Sequence, residues 1–388
     1  MDIEFSDRLK KLPPYLFAEI DKAKREAKRA GRDIIDLGVG DPDKPTPRHI
    51  IERLYESAKD PSTHRYALDQ GLLELRSAIA NWYKGRFGVE LSPQTEVLPL
   101  IGSKEGIAHM PLAFVNSGDE VLIPDPCYPP YKSGTLFAGG VPYLLPLLPE
   151  NAFLPDLDAI DIQVAKRAKL IFLNYPNNPT AALATERFFE EVVEYAIRYN
   201  IIVCHDAAYS EIAYDGYKPL SFLEIKGAKE IGVEFHSLSK TYNMTGWRIG
   251  FAVGNEKILK GLAKVKANVD SGIFMAVQFA AIAALEGPDS HLEETLSAYR
   301  QRRDAIVDGL NSLGWKVPRP KATFYLWAPV PPGYTSIELS KLLLEKCDIV
   351  TTPGVGFGPN GEGYIRMALT VPVERMKEAV ARIKGIKI

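Results

Sequence analysis

One short segment carries the residues whose types and spacing best suit chemistry: Lys240 follows Ser237 and Ser239, and Arg248 comes eight residues later. Apolar, β-like runs lead into and out of this segment, which predicts an irregular turn between two buried strands. Burying a lysine in such a turn costs free energy, so a lysine there is expected to have a function. Covalent capture of a carbonyl group is a task that requires lysine and not arginine. By itself, however, the pattern also suits a surface loop with an ordinary lysine.

The composition limits the classes of protein to consider. The chain has 388 residues, a formal net charge of −2, 46% hydrophobic residues and three cysteines without metal-ligand spacing. This near-neutral charge gives no electrostatic reason to expect nucleic acid or a membrane surface as a partner. The first residues lack the basic and apolar regions of a signal peptide. We therefore expect a soluble, cytoplasmic protein of about two domains, with no metal site.

The pattern of apolar runs predicts an α/β fold. From Glu96 to Gly254 strands alternate with helices, and runs such as 121–123, 170–173 and 201–204 are apolar on both faces. Such runs are typical of a mostly parallel central sheet flanked by helices. We expect residues 1–45 to form an N-terminal arm and part of a small domain, and residues 46–289 to form the large domain. Residues 290–388, which begin with a long charged helix, are expected to form the rest of a smaller α+β domain.

Polar residues follow four of the predicted strands at the point where each strand ends. In parallel sheets, ligands bind at the carboxyl ends of the strands. Ser103 follows the first of these strands, Asn178 the second, Asp206 the third and Lys240 the fourth. Each has an ordinary alternative: Ser103 as a helix cap, Asn178 as a turn residue and Asp206 as a structural acceptor. Arg248 likewise suits a structural ion pair.

Together these residues match one ligand, pyridoxal 5′-phosphate (PLP). Lys240 suits its aldehyde, and Asp206 suits its protonated pyridine nitrogen. The residues that suit its remaining oxygens are Tyr209 and Asn178 for the phenolic oxygen and Ser103, Ser237, Ser239 and Arg248 for the phosphate.

Along essentially its whole length, the chain resembles the class I/II aminotransferases of PLP fold type I. The Ser237-Leu238-Ser239-Lys240…Arg248 block resembles the lysine-attachment signature of that family, and Asn178, Asp206, Tyr209 and Arg366 follow its order. The resemblance implies that Lys240 binds the cofactor covalently and later moves a proton. It implies that Asp206 keeps the pyridine nitrogen protonated and that Tyr209 and Asn178 donate to the phenolic oxygen.

The resemblance implies further roles around the cofactor and the substrate. Tyr128 matches the aromatic residue that stacks on the cofactor ring, although a core tyrosine would look the same. Tyr66 matches a tyrosine that reaches the phosphate of the neighbouring subunit, which implies a homodimer with shared sites. Arg366 resembles the arginine that binds the substrate α-carboxylate. Gly40 corresponds to a loop that closes over the substrate. One departure is Ala181, where many members of the family have glycine.

Longer phrases resemble the LL-diaminopimelate aminotransferases within this family, among them residues 12–17, 37–42, 101–109, 205–211, 236–250 and 270–274. Those enzymes transfer an amino group from glutamate to tetrahydrodipicolinate in lysine biosynthesis. Tyr15 matches a substrate-contacting tyrosine of that group, and Lys104 would add a charge near the phosphate or the distal carboxylate. From its spacing after Tyr66, we hypothesise that Asp69 pairs with the distal ammonium of diaminopimelate, although a helix N-terminal acid is an equal interpretation. Met275, which is apolar, is expected to pack against neighbouring side chains and not to make a polar contact with the substrate.

Other functions stay open at this point. The nearest is another aminotransferase, for aspartate, alanine or an aromatic amino acid. A PLP-dependent β-lyase of the same fold would keep Lys240 and Asp206. A non-catalytic PLP-binding regulator ranks last, because the chain has no spare basic domain. The glycine-rich run Gly356–Gly361 matches a dinucleotide-binding pattern, but a strand and not a helix is predicted to follow it, so we expect a hairpin-like loop near Arg366.

Overall fold

Twelve strands in three sheets organise the part of the chain that the computed structural model describes, which is residues 3–12, 24–27, 29–67 and 70–386. The strands are β1 (Ile35–Asp36), β2 (Val97–Leu100), β3 (Glu120–Asp125), β4 (Val141–Pro146), β5 (Ala168–Leu173), β6 (Ile202–Asp206), β7 (Gly232–Ser237), β8 (Gly250–Gly254), β9 (Tyr325–Pro329), β10 (Ile349–Val350), β11 (Thr352–Pro353) and β12 (Tyr364–Ala368).

The seven-stranded sheet has the order β2-β8-β7-β6-β5-β3-β4. β8 is antiparallel to both of its neighbours, and the other adjacent pairs are parallel. The carboxyl ends of the six codirectional strands therefore lie at one edge of the sheet. The start of β8 lies at the same edge because that strand runs the opposite way. This edge is where the predicted site residues are expected to meet.

Both faces of this sheet are covered, as the continuous apolar runs predicted. β2 and β7 are buried at every position, and so are the last five residues of β3. One core cluster packs on one face around Ile171, Val203 and Phe189. A second packs on the other face around Leu170, Phe172 and Phe235. Because alternate side chains of a strand point to opposite faces, the strand ends present polar groups to both sides of the sheet.

The helices of the described residues include α1 (Asp7–Lys10), α2 (Arg48–Ala58), α3 (Leu73–Phe87), α4 (Ser103–Phe114), α5 (Pro130–Phe137), α6 (Ile162–Arg167), α7 (Glu186–Tyr199), α8 (Ala228–Ile231), α9 (Leu238–Thr241), α10 (Glu256–Val269), α11 (Met275–Glu286), α12 (Ser290–Ser312), α13 (Ser336–Cys347) and α14 (Val373–Lys384). Within the described ranges, none of them is long and apolar enough to cross a membrane.

Several helix ends follow local sequence rules. α3 ends at Gly88, whose φ of 70° is the left-handed conformation that glycine adopts readily. Thr185 and Asn255 cap α7 and α10 by accepting backbone N–H groups of the first turn. Pro47 is the N-cap of α2, and the hydroxyl of Thr46 donates to the carbonyl of Asn243.

Two smaller sheets lie around a third core cluster. β11, β12 and β9 form an antiparallel sheet in that order, while β1 pairs in parallel with β10. Ile35 and Leu37 join Leu326 and Ile365 in that cluster, so the segment after residue 29 packs with the C-terminal part of the chain. The residues that follow β1 run from this cluster towards the edge of the large sheet.

Candidate active site

Lys240 lies at the common edge of the large sheet, on α9, directly after β7. The irregular turn predicted for this segment is therefore wrong in detail: a one-turn helix holds the lysine, and Arg248 lies before β8 with a left-handed φ of 57°. The Lys240 ammonium donates a hydrogen bond of 2.8 Å to the carbonyl of Gly40. Burial lowers the pKa of Lys240. A lowered pKa increases the fraction of the lysine that is in the neutral, nucleophilic form.

Asp206 ends β6, the strand next to β7. Burial raises the pKa of its carboxyl, and a hydrogen bond from the Tyr131 hydroxyl opposes that rise. The Tyr131 hydroxyl donates to Oδ2 at 2.9 Å, and the backbone N–H of Ala208 donates to Oδ1 at 3.2 Å. Asn174 holds the Asp206 carbonyl at 2.6 Å. A carboxylate that is buried in this way is stabilised by a cationic partner.

Tyr209 lies three residues after Asp206, and its hydroxyl is 3.1 Å from the hydroxyl of Tyr325 on β9. Burial raises the pKa of Tyr209 well above its usual range, so the phenol stays protonated and can donate. Tyr325 had no predicted role. Its contact joins the large sheet to the three-stranded sheet at the candidate site.

Arg366 on β12 is 4% exposed, and its two terminal nitrogens have separate acceptors. Nη1 donates to Oδ1 of Asn178 and Nη2 donates to the carbonyl of Gly38, both at 2.8 Å. Because the arginine occupies Oδ1, the amide nitrogen of Asn178 is left as a donor for a ligand. The guanidinium also lies over the rings of Tyr325 and Phe357, at 4.2 and 4.7 Å from their centroids.

The loop from Gly38 to Gly40 connects Lys240 and Arg366. The lysine donates to the carbonyl of Gly40 and the arginine to the carbonyl of Gly38, each at 2.8 Å. Two residues of chain span about 7 Å at most, so the amine and the guanidinium lie at the ends of one short segment. A Cβ on Gly40 would lie 1.9 Å from the Tyr325 hydroxyl oxygen, so only glycine fits there.

Two of the predicted phosphate residues, Ser103 and Arg248, lie at the start of α4. Gly102, with a φ of 74°, is the N-cap, and Ser103 is the first helical residue. A Cβ on Gly102 would lie 2.3 Å from Nη2 of Arg248. Arg248 donates to the carbonyl of Thr245 at 2.7 Å, and within the described ranges no carboxylate pairs with it. A helix N-terminus beside a guanidinium of this kind is suited to an anion.

The other predicted residues are placed as follows. Ser237 accepts from the backbone N–H of Ser239, and Ser239 is itself buried. Lys104 is exposed on the first turn of α4. Tyr128 is half-buried, with its ring edge-on to that of Tyr131.

The described part of the chain does not place the remaining three predicted residues in this cluster. Tyr66 is 82% exposed, and no contact with the other site residues is seen in the described part of the chain. Tyr15 and Asp69 lie outside the described residues. Their predicted roles in substrate binding stay predictions.

Sequence reasoning missed Tyr131, Asn174 and Tyr325. Tyr131 is three residues after Tyr128, so it belongs to a phrase that was already suspected, but nothing local distinguishes it from a core tyrosine. Asn174 follows β5 directly, as Asp206 ends β6, and this strand-end position was the available signal. Tyr325 has no such signal, because it lies within an apolar strand that is distant in sequence from its partners.

The residues present fit PLP. Arg248 and the start of α4 offer an anion site, Asp206 is a buried carboxylate suited to a pyridinium N–H, and Lys240 is a buried amine suited to an aldehyde. When it is bound, this cofactor supplies that aldehyde and a protonated ring that draws electrons from the bond being broken. Tyr209 and the amide nitrogen of Asn178 are the available donors for its phenolic oxygen.

The chain belongs to the family of class I and II aminotransferases, whose model matches residues 32–383. The predicted family and fold class are therefore confirmed, and the chain is an aminotransferase. It is 59% identical, over 98% of both chains, to a protein named LL-diaminopimelate aminotransferase from Syntrophobacter fumaroxidans.

Solved structures agree with this family. Substrate-bound BacF from Bacillus subtilis is 42% identical with a TM-score of 0.95, covering 99% of this chain and 98% of that one. A probable N-succinyldiaminopimelate aminotransferase from Thermus thermophilus is 38% identical with a TM-score of 0.90, covering 95% of this chain and 99% of that one.

Proposed function

We propose that this protein is a PLP-dependent LL-diaminopimelate aminotransferase, which converts glutamate and tetrahydrodipicolinate to 2-oxoglutarate and LL-diaminopimelate. The observation that carries aminotransferase chemistry is that Lys240 and Arg366 bind carbonyls two residues apart in the Gly38–Gly40 loop. An α-carboxylate bound by Arg366 would place the substrate Cα near the lysine amine. The substrate assignment is supported by the predicted phrases and by the full-length relative at 59% identity.

The proposed roles follow from the contacts of each side chain. Arg366 binds and orients the α-carboxylate, and Asn178 helps to hold the guanidinium. Asp206 keeps the pyridine nitrogen protonated, with Tyr131 fixing its carboxyl. Lys240 Nζ would hold and move the proton of the substrate Cα, because burial favours its neutral form. We assign Tyr128, whose ring is edge-on to that of Tyr131, to stack on the cofactor ring.

The substrate is tested with a coupled assay of the purified protein on LL- and meso-diaminopimelate with 2-oxoglutarate, beside Lys240→Ala. We expect activity on the LL isomer and none in the variant. Activity on aspartate or alanine with none on either isomer would overturn the substrate and leave the cofactor assignment intact. Release of pyruvate and ammonia from cystathionine without a keto acid would instead indicate a β-lyase.

We also propose that the protein works as a homodimer in which Tyr66 reaches the partner's cofactor phosphate. The support is that Tyr66 is 82% exposed and that Phe274, also exposed, lies near His64 of the same region, with ring centroids 6.2 Å apart. Exposed aromatic residues of this kind are typical of interfaces. We further propose that residues 46–289 form the large domain. Residues 1–45 and 290–388 would form the N-terminal arm and the smaller domain.

Mixed dimers test the shared site. Lys240→Ala and Tyr66→Ala are each expected to be weak or inactive, but a dimer with one chain of each has one site with both native residues. Mixing after mild dissociation should restore activity. Sedimentation should give twice the 43.0 kDa of one chain. A monomer in sedimentation, or no recovery in verified mixed dimers, would contradict this assembly.

A further inference from the structure

Tyr325 contacts three parts of the candidate site at once. Its hydroxyl is 3.1 Å from the hydroxyl of Tyr209, and its ring lies 4.2 Å below the guanidinium carbon of Arg366. Its hydroxyl oxygen also lies so close to Gly40 that no side chain fits there. Resting on the proposed function, we infer that Tyr325 is a positioning residue that connects the cofactor side of the site, through Tyr209, to the carboxylate side, through Arg366.

The hydroxyl acts through the direction of its hydrogen bond. A phenol has one proton to donate and lone pairs that accept. If Tyr209 gives its proton to the phenolic oxygen of the cofactor, its own oxygen is left to accept the proton of Tyr325. In such a chain each hydrogen bond polarises the next, so Tyr325 makes Tyr209 a stronger donor.

The ring acts on the arginine through the strand register. Arg366 is paired with Trp327 and Tyr325 with Ala368 on the adjacent strands β9 and β12. Tyr325 and Arg366 are thus diagonal neighbours on one face of the sheet, a spacing within reach of long side chains. The ring and the two hydrogen bonds of the guanidinium together restrict its plane. A bidentate carboxylate requires that plane to be fixed.

Tyr325 is itself held firmly. It is 3% exposed, and its backbone N–H donates to the hydroxyl of Thr323 at 3.1 Å. The Thr323 carbonyl accepts from the Tyr214 hydroxyl at 2.7 Å. A side chain that is almost fully buried on a fixed backbone has little freedom to leave Tyr209 or Arg366.

Two substitutions separate the hydroxyl from the ring. Tyr325→Phe removes only the hydroxyl, and the pKa read from the visible absorbance of the bound cofactor should rise by about 0.2–0.5 units, since a weaker Tyr209 donor stabilises the deprotonated chromophore less. KM for glutamate should stay within about twofold, because the ring remains under Arg366. Tyr325→Leu should also raise KM about tenfold, as expected for the loss of a well-placed cation–π contact and its packing.

A double variant distinguishes positioning from general stability. Because Tyr325 acts through Tyr209, the absorbance pKa of Tyr209→Phe/Tyr325→Phe should equal that of Tyr209→Phe. The matched control is Tyr299→Phe, which removes a buried hydroxyl that has no hydrogen-bond partner in the described residues, and its absorbance pKa should equal that of the wild type.

An unchanged absorbance pKa in Tyr325→Phe, or additive shifts in the double variant, would overturn the inference. An unchanged KM in Tyr325→Leu would also overturn it. If Tyr325→Leu fails to fold, the absorbance pKa values of Tyr325→Phe and of Tyr209→Phe/Tyr325→Phe decide. The titration needs no substrate, so it is independent of which amino acid the enzyme uses. A wild-type protein that binds no PLP would instead contradict the proposed function.

Discussion

His205 and Glu234 lie opposite each other on neighbouring parallel strands and share a buried hydrogen bond of 2.8 Å between Nδ1 and Oε2. Glu234 also accepts from Nε2 of His236 at 2.8 Å and from the Tyr83 hydroxyl at 2.6 Å. The backbone N–H of Tyr175 donates to Nε2 of His205, so Nδ1 is the ring nitrogen that donates to Glu234. This buried cluster therefore joins β6, which ends at Asp206, to β7, which leads to Lys240.

Glu234→Gln should destabilise the protein by about 2–3 kcal/mol at neutral pH, because a charged acceptor of several buried donors is replaced by a neutral amide. Urea unfolding measures the change. The matched control is Glu191→Gln, which alters an exposed ion pair with Arg187 and should change stability by less than about 0.5 kcal/mol. Equal effects in the two variants would contradict a special role for the buried carboxylate.

The contribution of Glu234 should also depend on pH. Burial acts to raise its pKa, but the hydrogen bonds from His205 and His236 outweigh burial and hold the pKa well below the ordinary value of 4.5. A group with a lowered folded pKa stabilises fully above its unfolded pKa and loses that contribution as pH falls through the folded value. The difference in free energy of unfolding between the wild type and Glu234→Gln should thus be constant above pH 4.5 and shrink below it.

Lys266 is a buried cation that connects the start of α4 to the loop after α10. It is 1% exposed and lies 3.3 Å from Glu105 and 2.8 Å from Asp270. Glu105 in turn accepts from the backbone N–H of Ile101, just before the candidate phosphate site. Lys266→Met should destabilise the protein by about 2 kcal/mol, because it leaves two half-buried carboxylates without their buried cationic partner.

The same substitution should weaken PLP binding, since an unpaired negative charge would lie near the phosphate. The dissociation constant of PLP, measured by fluorescence quenching of the apoprotein, should rise about tenfold or more, as expected for a loss of 1.4 kcal/mol or more. Glu105→Gln in the Lys266→Met background should restore part of the affinity. Lys266→Arg keeps the charge and serves as the control. Unchanged affinity in Lys266→Met would refute the electrostatic link.

Arg302 on α12 binds Asp43, which lies three residues after the Gly38–Gly40 loop. Its guanidinium binds both carboxylate oxygens of Asp43 at 2.7 Å and the carbonyl of Leu369 at 3.0 Å. Asp43→Asn should raise KM for the amino-acid substrates about 3- to 10-fold, because one bidentate, charge-assisted pair is worth about 1.5–3 kcal/mol and only part of it bears on the loop. The expected effect on kcat is smaller.

A double-mutant cycle checks that pair. Asp43→Asn and Arg302→Gln together should cost less than the sum of the two single effects on KM, since each removes the same interaction. Additive effects would mean that the two residues influence the loop independently. Asp308→Asn, on the exposed side of the same helix, is the control and should leave KM unchanged.

Ala181 has a left-handed φ of 58°, at the position where the family pattern has glycine. That conformation costs an L-residue about 1–2 kcal/mol, whereas glycine loses about 0.4–1 kcal/mol through unfolded-state entropy. Ala181→Gly should therefore stabilise the protein by about 0.5 kcal/mol with unchanged kcat. Ala267→Gly, within α10, should destabilise it by about 1 kcal/mol. Thermal unfolding of both variants measures the difference, and loss of stability in Ala181→Gly would contradict the strain.

Much of the fold could be predicted from the sequence because its signals are local. Continuous apolar runs indicated the buried strands, because a strand covered on both faces is apolar at nearly every position. The sequence predicted an irregular turn around Lys240, whereas the structure has a one-turn helix there. Its one-turn helix depends on packing against the sheet edge, which a short polar segment does not reveal.

The sequence by itself determined which residue types stand at the strand ends, and through them the family, because amine, carboxylate and guanidinium groups in that order suit one cofactor. Only the tertiary structure decided how they are held. Lys240 and Arg366 meet through the Gly38–Gly40 loop, Asp206 depends on Tyr131, and Tyr209 on Tyr325. These partners are far apart along the chain. Strand order and register bring them together, and no local pattern encodes that pairing.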